Sequence, residues 1–461
     1  MRLLVIGGSD AGISAGLRAC ELDPSVEVSL LVADAYPNFS ICGLPYYLSG
    51  DVADWRDLAH RTSADLEAAG LELLLDHTAR AIDPAAKQVT VTSQHGEQQL
   101  GFDRLVIGTG AVPVRPPIDG LDLPGVHVLH TMADTFRLHQ ALTAGAGSAI
   151  IVGGGYIGLE MAEAITSRGL AVTLVEQAPA VMPTVDRALG ELLGQELRRH
   201  EVQVVNDVTI KAIHPETGGL TVAGEPDFTA TADLVLVVVG VRPNTQLAAA
   251  AGVQTGVRGA LRVDRRMRTS LPDVLAAGDC VETWHRLLQQ PTYHPLGTTA
   301  HKQGRIAGET AVGGMAEFAG SLGTQVVKVF ELAVARTGLR DQDAAATGFD
   351  RATVGSVEFD HKAYYPGAHQ LHLRITGDRP SGRLLGAQLL GDRRAQVAKR
   401  IDIPATALFH HMTVAGLSEL DLSYTPPFGS PWDAVQMTAQ TWTRHTQGGQ
   451  PTQAASHETP T

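Results

Sequence analysis

The segment Gly153-Gly154-Gly155-Tyr156-Ile157-Gly158 decides the fold. It follows an apolar strand predicted at 148–152, and it precedes a helix that runs to Arg168 and a second strand that ends at Glu176. In a G-x-G-x-x-G turn the first glycine permits the tight bend, the second lets the backbone approach a pyrophosphate, and the third lets the helix pack on the strand. Between a strand and a helix, this turn is better interpreted as a dinucleotide-binding loop than as a structural turn alone.

Residues 2–34 repeat the pattern with a less complete motif. An apolar strand leads into Gly7-Gly8-Ser9-Asp10-Ala11-Gly12, which is followed by an alanine-rich helix and a strand at 26–32. Ser9 takes the place of the middle glycine, and Val32 replaces the usual acid, so that Asp34 is the nearest substitute. Each unit has about 30 residues, the size of a mononucleotide-binding half. The repeat predicts two Rossmann-like domains.

Other apolar strands indicate how these domains are arranged. Two predicted strands that end in glycine-containing turns lie near 105–111 and 234–243. The segment Ala277-Gly278-Asp279 follows a further predicted strand. We therefore expect an α/β fold in which a first dinucleotide domain, residues 1–113 and 246–320, is interrupted by a second, residues 114–245. Strands and then helices in residues 323–445 predict an α+β third domain. Residues 446–461 are rich in Gly, Pro, Ser, Thr and Gln and are predicted to be a disordered tail.

Two acids carry specific expectations. Glu176, at the end of its strand, suits a hydrogen bond to a ribose 2′-hydroxyl and favours NADH over NADPH. Asp279, at a strand tip beside a glycine, is placed to hold the ribityl chain or phosphate of a flavin. The alternative for Asp279 is an ordinary turn aspartate.

The bulk composition excludes several classes of protein. The 461 residues carry a formal net charge of −13, which disfavours nucleic acids and anionic membranes as partners. No apolar run is long enough for a transmembrane helix. Three cysteines do not make a disulfide framework or a CxxC metal pair, so no metal site is expected and a cytoplasmic location fits.

Cys42 is the candidate redox residue. It lies just after the first strand–helix–strand unit, and Pro45 fits the first turn of a helix beginning near it. A thiol at a positive helix end has a lowered pKa. Tyr47 occupies the position five residues on, where a two-cysteine reductase would carry its second thiol. A lone thiolate works through a mixed disulfide or a sulfenic acid. The alternative is a buried core cysteine.

These features resemble the FAD-dependent pyridine nucleotide-disulfide oxidoreductases, specifically the single-cysteine branch that contains coenzyme A disulfide reductase, NADH oxidase and NADH peroxidase. The resemblance covers residues 1–442. Its carriers are the segments 39–47 (FSICGLPYY), 277–279 (AGD), 295–305 (PLGTTAHKQGR), 327–330 (VKVF), 363–367 (AYYPG), 399–402 (KRID) and 424–428 (YTPPF).

The resemblance implies bound FAD, NADH or NADPH as electron donor, and a homodimer whose third domain reaches the partner's site. Tyr424 and one of Tyr364 and Tyr365 would then lie near the other chain's Cys42, and His301 would be a candidate proton donor. Without the resemblance, these would be packing or surface residues. The residues expected at the two cofactors are Gly7, Gly8, Ser9, Ala11, Gly12, Asp34, Ala79, Thr109, Gly110, Asp279, Thr299, Ala300, Gly153, Gly155, Tyr156, Ile157, Gly158, Glu176 and Gly240.

The sequence indicates the type of reaction more clearly than it indicates the electron acceptor. Coenzyme A disulfide or a related low-molecular-weight disulfide or persulfide is the leading expectation. Glu21, Ile41 and Trp432, however, stand where relatives place basic or polar side chains. The alternatives are an oxidase or peroxidase that reduces oxygen or peroxide through a Cys42 sulfenic acid, a reductase of a thiol-binding metal or metalloid species, and a non-enzymatic redox sensor.

Overall fold

The computed structural model describes residues 1–447, with strands and helices numbered here in chain order. The first sheet is five-stranded and entirely parallel, in the order β18-β7-β1-β2-β3. Its strands are β1 (Arg2–Ile6), β2 (Glu27–Leu31), β3 (Leu71–Leu74), β7 (Arg104–Ile107) and β18 (Val274–Ala276). Since β18 lies far along the chain from β7, this sheet is built from two separate parts of the sequence.

Both faces of the first sheet are covered. On one face, Leu3 and Val5 pack with the helices α1 (Asp10–Leu22) and α8 (Gly297–Ala311). On the other, Leu4 and Ile6 pack with an antiparallel sheet made of β4 (Thr78–Asp83), β5 (Gln88–Ser93) and β6 (Gly96–Gly101). The shorter helices of this region are α2 (Leu44–Ser49), α3 (Ser63–Ala68) and α7 (Gln246–Ala250).

The second sheet repeats this architecture. It is parallel, in the order β12-β11-β10-β16-β9, with strands β9 (Val126–His127), β10 (Ser148–Val152), β11 (Ala171–Val175), β12 (Gln203–Val205) and β16 (Leu234–Val237). Helices α4 (Met132–Thr143), α5 (Tyr156–Ser167) and α6 (Arg187–Arg199) follow its strands. A second antiparallel sheet, β13 (Thr209–Glu216), β14 (Gly219–Glu225) and β15 (Phe228–Ala232), packs on Ile150 and Val152. The duplication therefore extends beyond the strand–helix–strand unit predicted from the sequence, and it confirms two Rossmann-like domains.

The connections between the two domains pair with each other. Strand β8 (Ala111–Pro113) enters the second domain and β17 (Val241–Pro243) leaves it, and the two form an antiparallel pair. Strands β19 (Thr283–His285) and β20 (Gln290–Thr292) form a separate hairpin. The second domain is thus inserted in the first through two adjacent crossings.

The remaining strands form an antiparallel sheet in the order β21-β22-β25-β24-β23. They are β21 (Gln325–Val329), β22 (Leu332–Gly338), β23 (Arg351–Phe359), β24 (Gln370–Asp378) and β25 (Leu384–Asp392), accompanied by helices α9 (Asp341–Ala346), α10 (Val397–Arg400), α11 (Asp402–Phe409), α12 (Val414–Ser418) and α13 (Ala434–Gln447). This is the α+β third domain expected from the sequence. Of the predicted tail, Thr446 and Gln447 belong to α13, and the rest lies outside the described residues.

The chain divides into two compact units, Met1–Pro183 with Leu197–Ser321, and Thr184–Glu196 with the chain from Leu322 onward. Residues 184–196 thus group with the third domain, whereas the sequence places them in 114–245. The reason is local: the Asp186 backbone N–H donates to Gln388, and its carboxylate accepts from Arg374 at 2.5 Å. The other predicted boundaries stay predictions. Across the described residues, no helix combines the length and apolar character needed to cross a bilayer.

Candidate functional site

The two glycine-rich loops have the same backbone geometry. Gly7 and Gly153 adopt φ of 123° and 112°, where an L side chain is strained. A Cβ on Gly12 would lie 1.9 Å from the Gly7 carbonyl oxygen, and a Cβ on Gly158 would lie 1.9 Å from that of Gly153. The first glycine of each loop is therefore required by its backbone conformation, and the third by a contact within the loop itself.

The middle position differs, and the structure explains why. Gly155 has extended backbone, and a Cβ there would meet open space. Ser9 occupies the equivalent place with φ −112°, which any L residue adopts. The replacement of glycine by serine in the first loop is therefore compatible with the same fold of the loop.

Each loop opens onto a helix end suited to phosphate. Helix α1 begins after Ser9 and α5 begins after Gly155, and neither of these N-cap residues makes a side-chain capping hydrogen bond. The first-turn N–H groups of a helix have no partner inside the helix and bind anions well. With open space at Gly155, both sites fit the pyrophosphate of a dinucleotide. Ala11, Tyr156 and Ile157 lie in these first turns, and their contacts with a cofactor stay predictions.

The strand ends below the two loops carry different side chains. Glu176 is buried, and its two carboxylate oxygens accept from the N–H groups of Gly154 at 2.6 Å and Ala178 at 2.8 Å. Beneath the first loop the same place is taken by Val32, whose methyl groups would lie 2.7 Å from a Cβ on Gly8. Glu176 thus organises its loop before any ribose is bound, and its contact with a ribose stays a prediction.

Asp34, the predicted substitute for the missing acid, lies beyond the strand end. Its carboxylate accepts from the Tyr36 N–H at 2.9 Å, and burial raises the pKa of the carboxyl. The structure therefore places Asp34 two residues beyond the position of Val32, in a turn of its own.

Asp279 carries a partly buried carboxyl without a hydrogen-bonding partner among residues 1–447. It follows Gly278, where φ is 86° and a Cβ would lie 2.8 Å from the Ala11 Cβ, so the loop closes onto the start of α1. Burial, and then the charge of Asp10, raise the pKa of Asp279 to about 6. An unpaired carboxyl here fits the ribityl hydroxyl groups of FAD, because they would supply the missing donors.

The remaining predicted cofactor residues fall on several elements of the first unit. Thr109 donates to the Asn244 carbonyl at 2.6 Å, and Thr299 and Ala300 are buried in the first turn of α8. Gly110 and Gly240 have positive φ with open space around a Cβ, and Ala79 lies in β4. Their contacts with a cofactor stay predictions.

Cys42 lies in a 3-10 turn, residues 41–43, directly before α2, and Pro45 is in the first turn of that helix as expected. The side chain is exposed, so the buried-core alternative is wrong. The expected lowering of its pKa is also wrong for the polypeptide. Partial desolvation raises the pKa of the Cys42 thiol, and the negative charges of Glu160, Asp10 and Asp279 raise it further.

The other two cysteines are structural. Cys280 is buried and donates to the Ala277 carbonyl at 3.4 Å, while Cys20 donates to the Gly70 carbonyl at 3.6 Å. Tyr47, at the position of a second thiol, stacks on His139 with ring centroids 5.1 Å apart. All three cysteines are free, so Cys42 has no internal disulfide partner.

Sequence reasoning missed two residues near Cys42. The Tyr46 hydroxyl donates to Glu160 at 3.5 Å. Burial raises the pKa of the Tyr46 hydroxyl, and the charges of Glu160 and Cys42 raise it further. Asp10, the first residue of α1, contacts His301, with 3.3 Å between the carboxylate Oδ1 and the imidazole Nε2. In the sequence, Asp10 could have been recognised as an acidic residue at the first helical position after a phosphate-binding loop.

The three predicted tyrosines lie in the second unit and are exposed there. Tyr364, Tyr365 and Tyr424 are 74%, 42% and 44% exposed. The Tyr365 ring contacts His361, whose Nδ1 lies 3.0 Å from an Asp360 oxygen. Exposed aromatic side chains fit an interface, and their place near a partner's Cys42 stays a prediction.

Comparison with known families accounts for nearly the whole chain. Residues 1–304 match the family model described as pyridine nucleotide-disulphide oxidoreductase, and residues 324–434 match the dimerisation domain of the same family. These matches confirm the predicted fold class, including the nature of the third domain, and with it the expectation of FAD and a nicotinamide dinucleotide.

Similar proteins share this architecture over their full length or most of it. The NAD(P)H sulfur oxidoreductase (CoA-dependent) of Pyrococcus abyssi is 31% identical over 440 residues, which cover 95% of this chain and 97% of that protein. An NAD-dependent persulfide reductase from A. fulgidus is 35% identical with a TM-score of 0.94, covering 97% of this chain and 84% of that one. The water-forming NADH oxidase from Lactobacillus brevis, bound to NADH, is 27% identical with a TM-score of 0.93, covering 97% and 99%.

Proposed function

The chain belongs to the pyridine nucleotide-disulphide oxidoreductases, which use FAD and NAD(P)H, and on this premise we propose that it reduces a low-molecular-weight disulfide or persulfide through Cys42. The net reaction is NAD(P)H + H⁺ + RSSR′ → NAD(P)⁺ + RSH + R′SH, with hydrogen sulfide as the second product for a persulfide. The observation that carries the proposal is a single exposed thiol beside Asp279 and the start of α1, with no second thiol to pair with.

Because Cys42 has no second thiol beside it, the order in which bonds form and break is fixed. The Cys42 thiolate attacks one sulfur of RSSR′, a Cys42–S–S–R mixed disulfide forms, and R′S⁻ leaves and takes up a proton. FAD, when bound, supplies the electron pair that it receives from NAD(P)H. Two electrons then cleave the mixed disulfide, RSH is released with a second proton, and the thiolate is restored.

The two glycine-rich loops of the first unit would bind different cofactors. The α5 loop with Gly153, Gly155 and Gly158 would hold NAD(P)H, and the α1 loop with Asp279 would hold FAD. Glu176 supports a preference for NADH, because a carboxylate below the loop disfavours a 2′-phosphate.

The choice of a sulfur acceptor rests on two relatives. The protein from Pyrococcus abyssi is named for sulfur and coenzyme A, and the one from A. fulgidus for persulfide. We therefore infer a persulfide or a coenzyme A-type disulfide as the substrate of this chain.

NAD(P)H consumption by the wild type and by Cys42→Ser tests this proposal. Coenzyme A disulfide, a small persulfide, peroxide and oxygen serve as acceptors, and Cys20→Ser is the matched control. We expect Cys42→Ser to lose turnover with the sulfur acceptors while retaining FAD, and Cys20→Ser to behave as wild type. Full activity of Cys42→Ser with every acceptor would sink the thiol mechanism.

The second candidate is an NADH oxidase or peroxidase, favoured by the likeness to the enzyme of Lactobacillus brevis. Here Cys42 would cycle through a sulfenic acid, and NADH would be consumed with oxygen or peroxide alone. Oxygen uptake measured beside persulfide reduction separates the two, because the sulfur reductase should use oxygen far more slowly.

We further infer a homodimer in the cytoplasm. The match of residues 324–434 to a dimerisation domain supports the assembly, and three free cysteines suit a reducing compartment. Light scattering of the purified protein tests the dimer, for which a monomeric mass would be the contrary result.

A further inference from the structure

The short helix α2, which directly follows the turn that carries Cys42, packs against helices α4 and α5 of the second dinucleotide domain. It has six residues, and a helix of that length has little stability of its own. Its Leu44 and Leu48 side chains are buried. The position of α2, and with it the position of the thiol at its start, therefore depends on the groups that pack against it.

Tyr47 makes the contact between α2 and α4. Its ring stacks on the imidazole of His139, with ring centroids 5.1 Å apart and an interplanar angle of 18°. Burial, and then the charge of Arg168, lower the pKa of His139, which favours the neutral ring. Tyr47 occupies the position at which a two-cysteine reductase would carry its second thiol. In this chain, that position attaches α2 to the second domain.

Helix α5 holds α2 at two further points. The Tyr46 hydroxyl donates to Glu160, in the second turn of α5. Beyond the other end of α5, Nε of its C-cap residue Arg168 donates to the carbonyl of Leu48, in the last turn of α2. The last carbonyls of a helix have no partner inside it, so Arg168 satisfies a group that α2 itself leaves open. Because α5 begins at the dinucleotide loop, one helix connects the loop with the segment that follows Cys42.

We propose that Tyr47, His139 and Arg168 are positioning residues, which clamp α2 to the second domain and so fix the place of the Cys42 thiol. The inference rests on the proposed reduction of a disulfide or persulfide through Cys42. A displacement of about 1 Å can lower the rate of a reacting group about 100-fold. A loosened α2 should therefore slow the steps that pass through Cys42, while the reduction of FAD by NADH continues.

Tyr47→Ala and Tyr47→Phe separate positioning from a general structural role. Turnover is measured with a small persulfide, whose reduction needs Cys42, and with ferricyanide, which takes electrons directly from the reduced flavin. Tyr47→Ala should lose about 10- to 100-fold in kcat with persulfide, whereas its KM for NADH and its ferricyanide rate stay unchanged. Tyr47→Phe keeps the stacked ring and should behave as wild type. Equal losses with both acceptors, wild-type persulfide turnover of Tyr47→Ala, or a Tyr47→Phe enzyme as slow as Tyr47→Ala overturns the proposal.

Arg168→Gln tests the contact at the end of α2. The variant lacks the Nε donor, so its persulfide turnover should fall about tenfold with an unchanged ferricyanide rate. Arg187→Gln is the matched control, because Arg187 is an exposed arginine that pairs with Glu191 on the surface of α6. It should keep wild-type turnover with both acceptors. Equal persulfide turnover of the two variants contradicts the role of Arg168.

Alkylation of Cys42 by iodoacetamide tests the clamp without relying on the reaction. In a Cys20→Ser background at neutral pH, Tyr47→Ala should be alkylated at least about threefold faster than Tyr47→Phe, because a loosened α2 relieves the desolvation of the thiol. Equal alkylation rates overturn the clamp. If the rates differ but Cys42→Ser keeps full persulfide turnover, the clamp stands and the proposed function has failed, so the two failures are distinguishable.

Discussion

Two alanine substitutions in the second glycine loop should both weaken NADH binding, but only one of them should destabilise the protein. Gly153 has φ 112°, and a Cβ there would lie 2.7 Å from the Val238 carbonyl oxygen. Backbone strain of this kind costs about 1–3 kcal/mol, and the close contact adds about 1–3 kcal/mol. Gly153→Ala should therefore destabilise the NAD(P)H-binding domain by about 2–6 kcal/mol.

Gly155→Ala is the matched variant, since its Cβ would meet open space and its backbone is extended. We expect an unchanged melting temperature within about 2 °C, because the gain from a stiffer unfolded chain and the loss of a good N-cap residue nearly cancel. The new methyl group should instead occupy space meant for the pyrophosphate and raise the KM for NADH about tenfold, or about 1.4 kcal/mol.

The assay combines thermal scanning, FAD content and NADH kinetics for both variants. Gly153→Ala should melt at least about 5 °C lower and lose NADH binding, with its FAD retained because the first loop is untouched. The reasoning is refuted if Gly153→Ala is as stable as wild type, or if Gly155→Ala leaves the KM for NADH unchanged.

Two further predictions concern the acids. In Glu176→Gln an amide NH₂ faces one of the N–H groups of Gly154 and Ala178, so the variant should lose about 1–3 kcal/mol of stability. The ratio of the KM for NADPH to the KM for NADH should also fall. An unchanged ratio would contradict the role assigned to Glu176. For Asp279 the native carboxyl keeps its proton up to about pH 6, whereas the unfolded one loses it near pH 3.8, so its contribution to stability is present at low pH and is lost as pH rises through 6. At pH 7.5, FAD-free Asp279→Asn should therefore be more stable than the FAD-free wild type by up to about 3 kcal/mol. It should nevertheless bind FAD more weakly in equilibrium titration. Equal stability and equal FAD affinity would be the contrary result.

Much of the fold follows from local chemistry that the sequence displays. The glycine pattern predicts both nucleotide domains because Gly12 and Gly158 are required by contacts with the glycines five residues earlier, and Gly7 and Gly153 by their positive φ. The antiparallel sheets on Ile6 and Val152 were not anticipated, because their short strands depend on packing against a parallel sheet rather than on a motif.

The sequence identified site residues that belong to a local motif. It did not identify properties that depend on residues brought together from distant parts of the chain. Cys42 and Asp279 stand in recognisable segments, and the charge of Asp10, at the start of α1, acts on both. The pKa direction of Cys42 was missed, because it depends first on desolvation by the folded chain and then on the charges of Glu160 and Asp10, which are distant in sequence. The partner of Asp10, His301, lies 291 residues away, so only the packing of α1 on α8 reveals the pair.

In the proposed mechanism Cys42 alone carries the substrate sulfur. The most direct measurement is peptide mass analysis of the oxidised enzyme after brief exposure to coenzyme A disulfide or a small persulfide, without NADH. We predict one mixed-disulfide or persulfide adduct, on the peptide that contains Cys42, which disappears when NADH is added. An adduct only on Cys20, or none that NADH removes, would contradict the account.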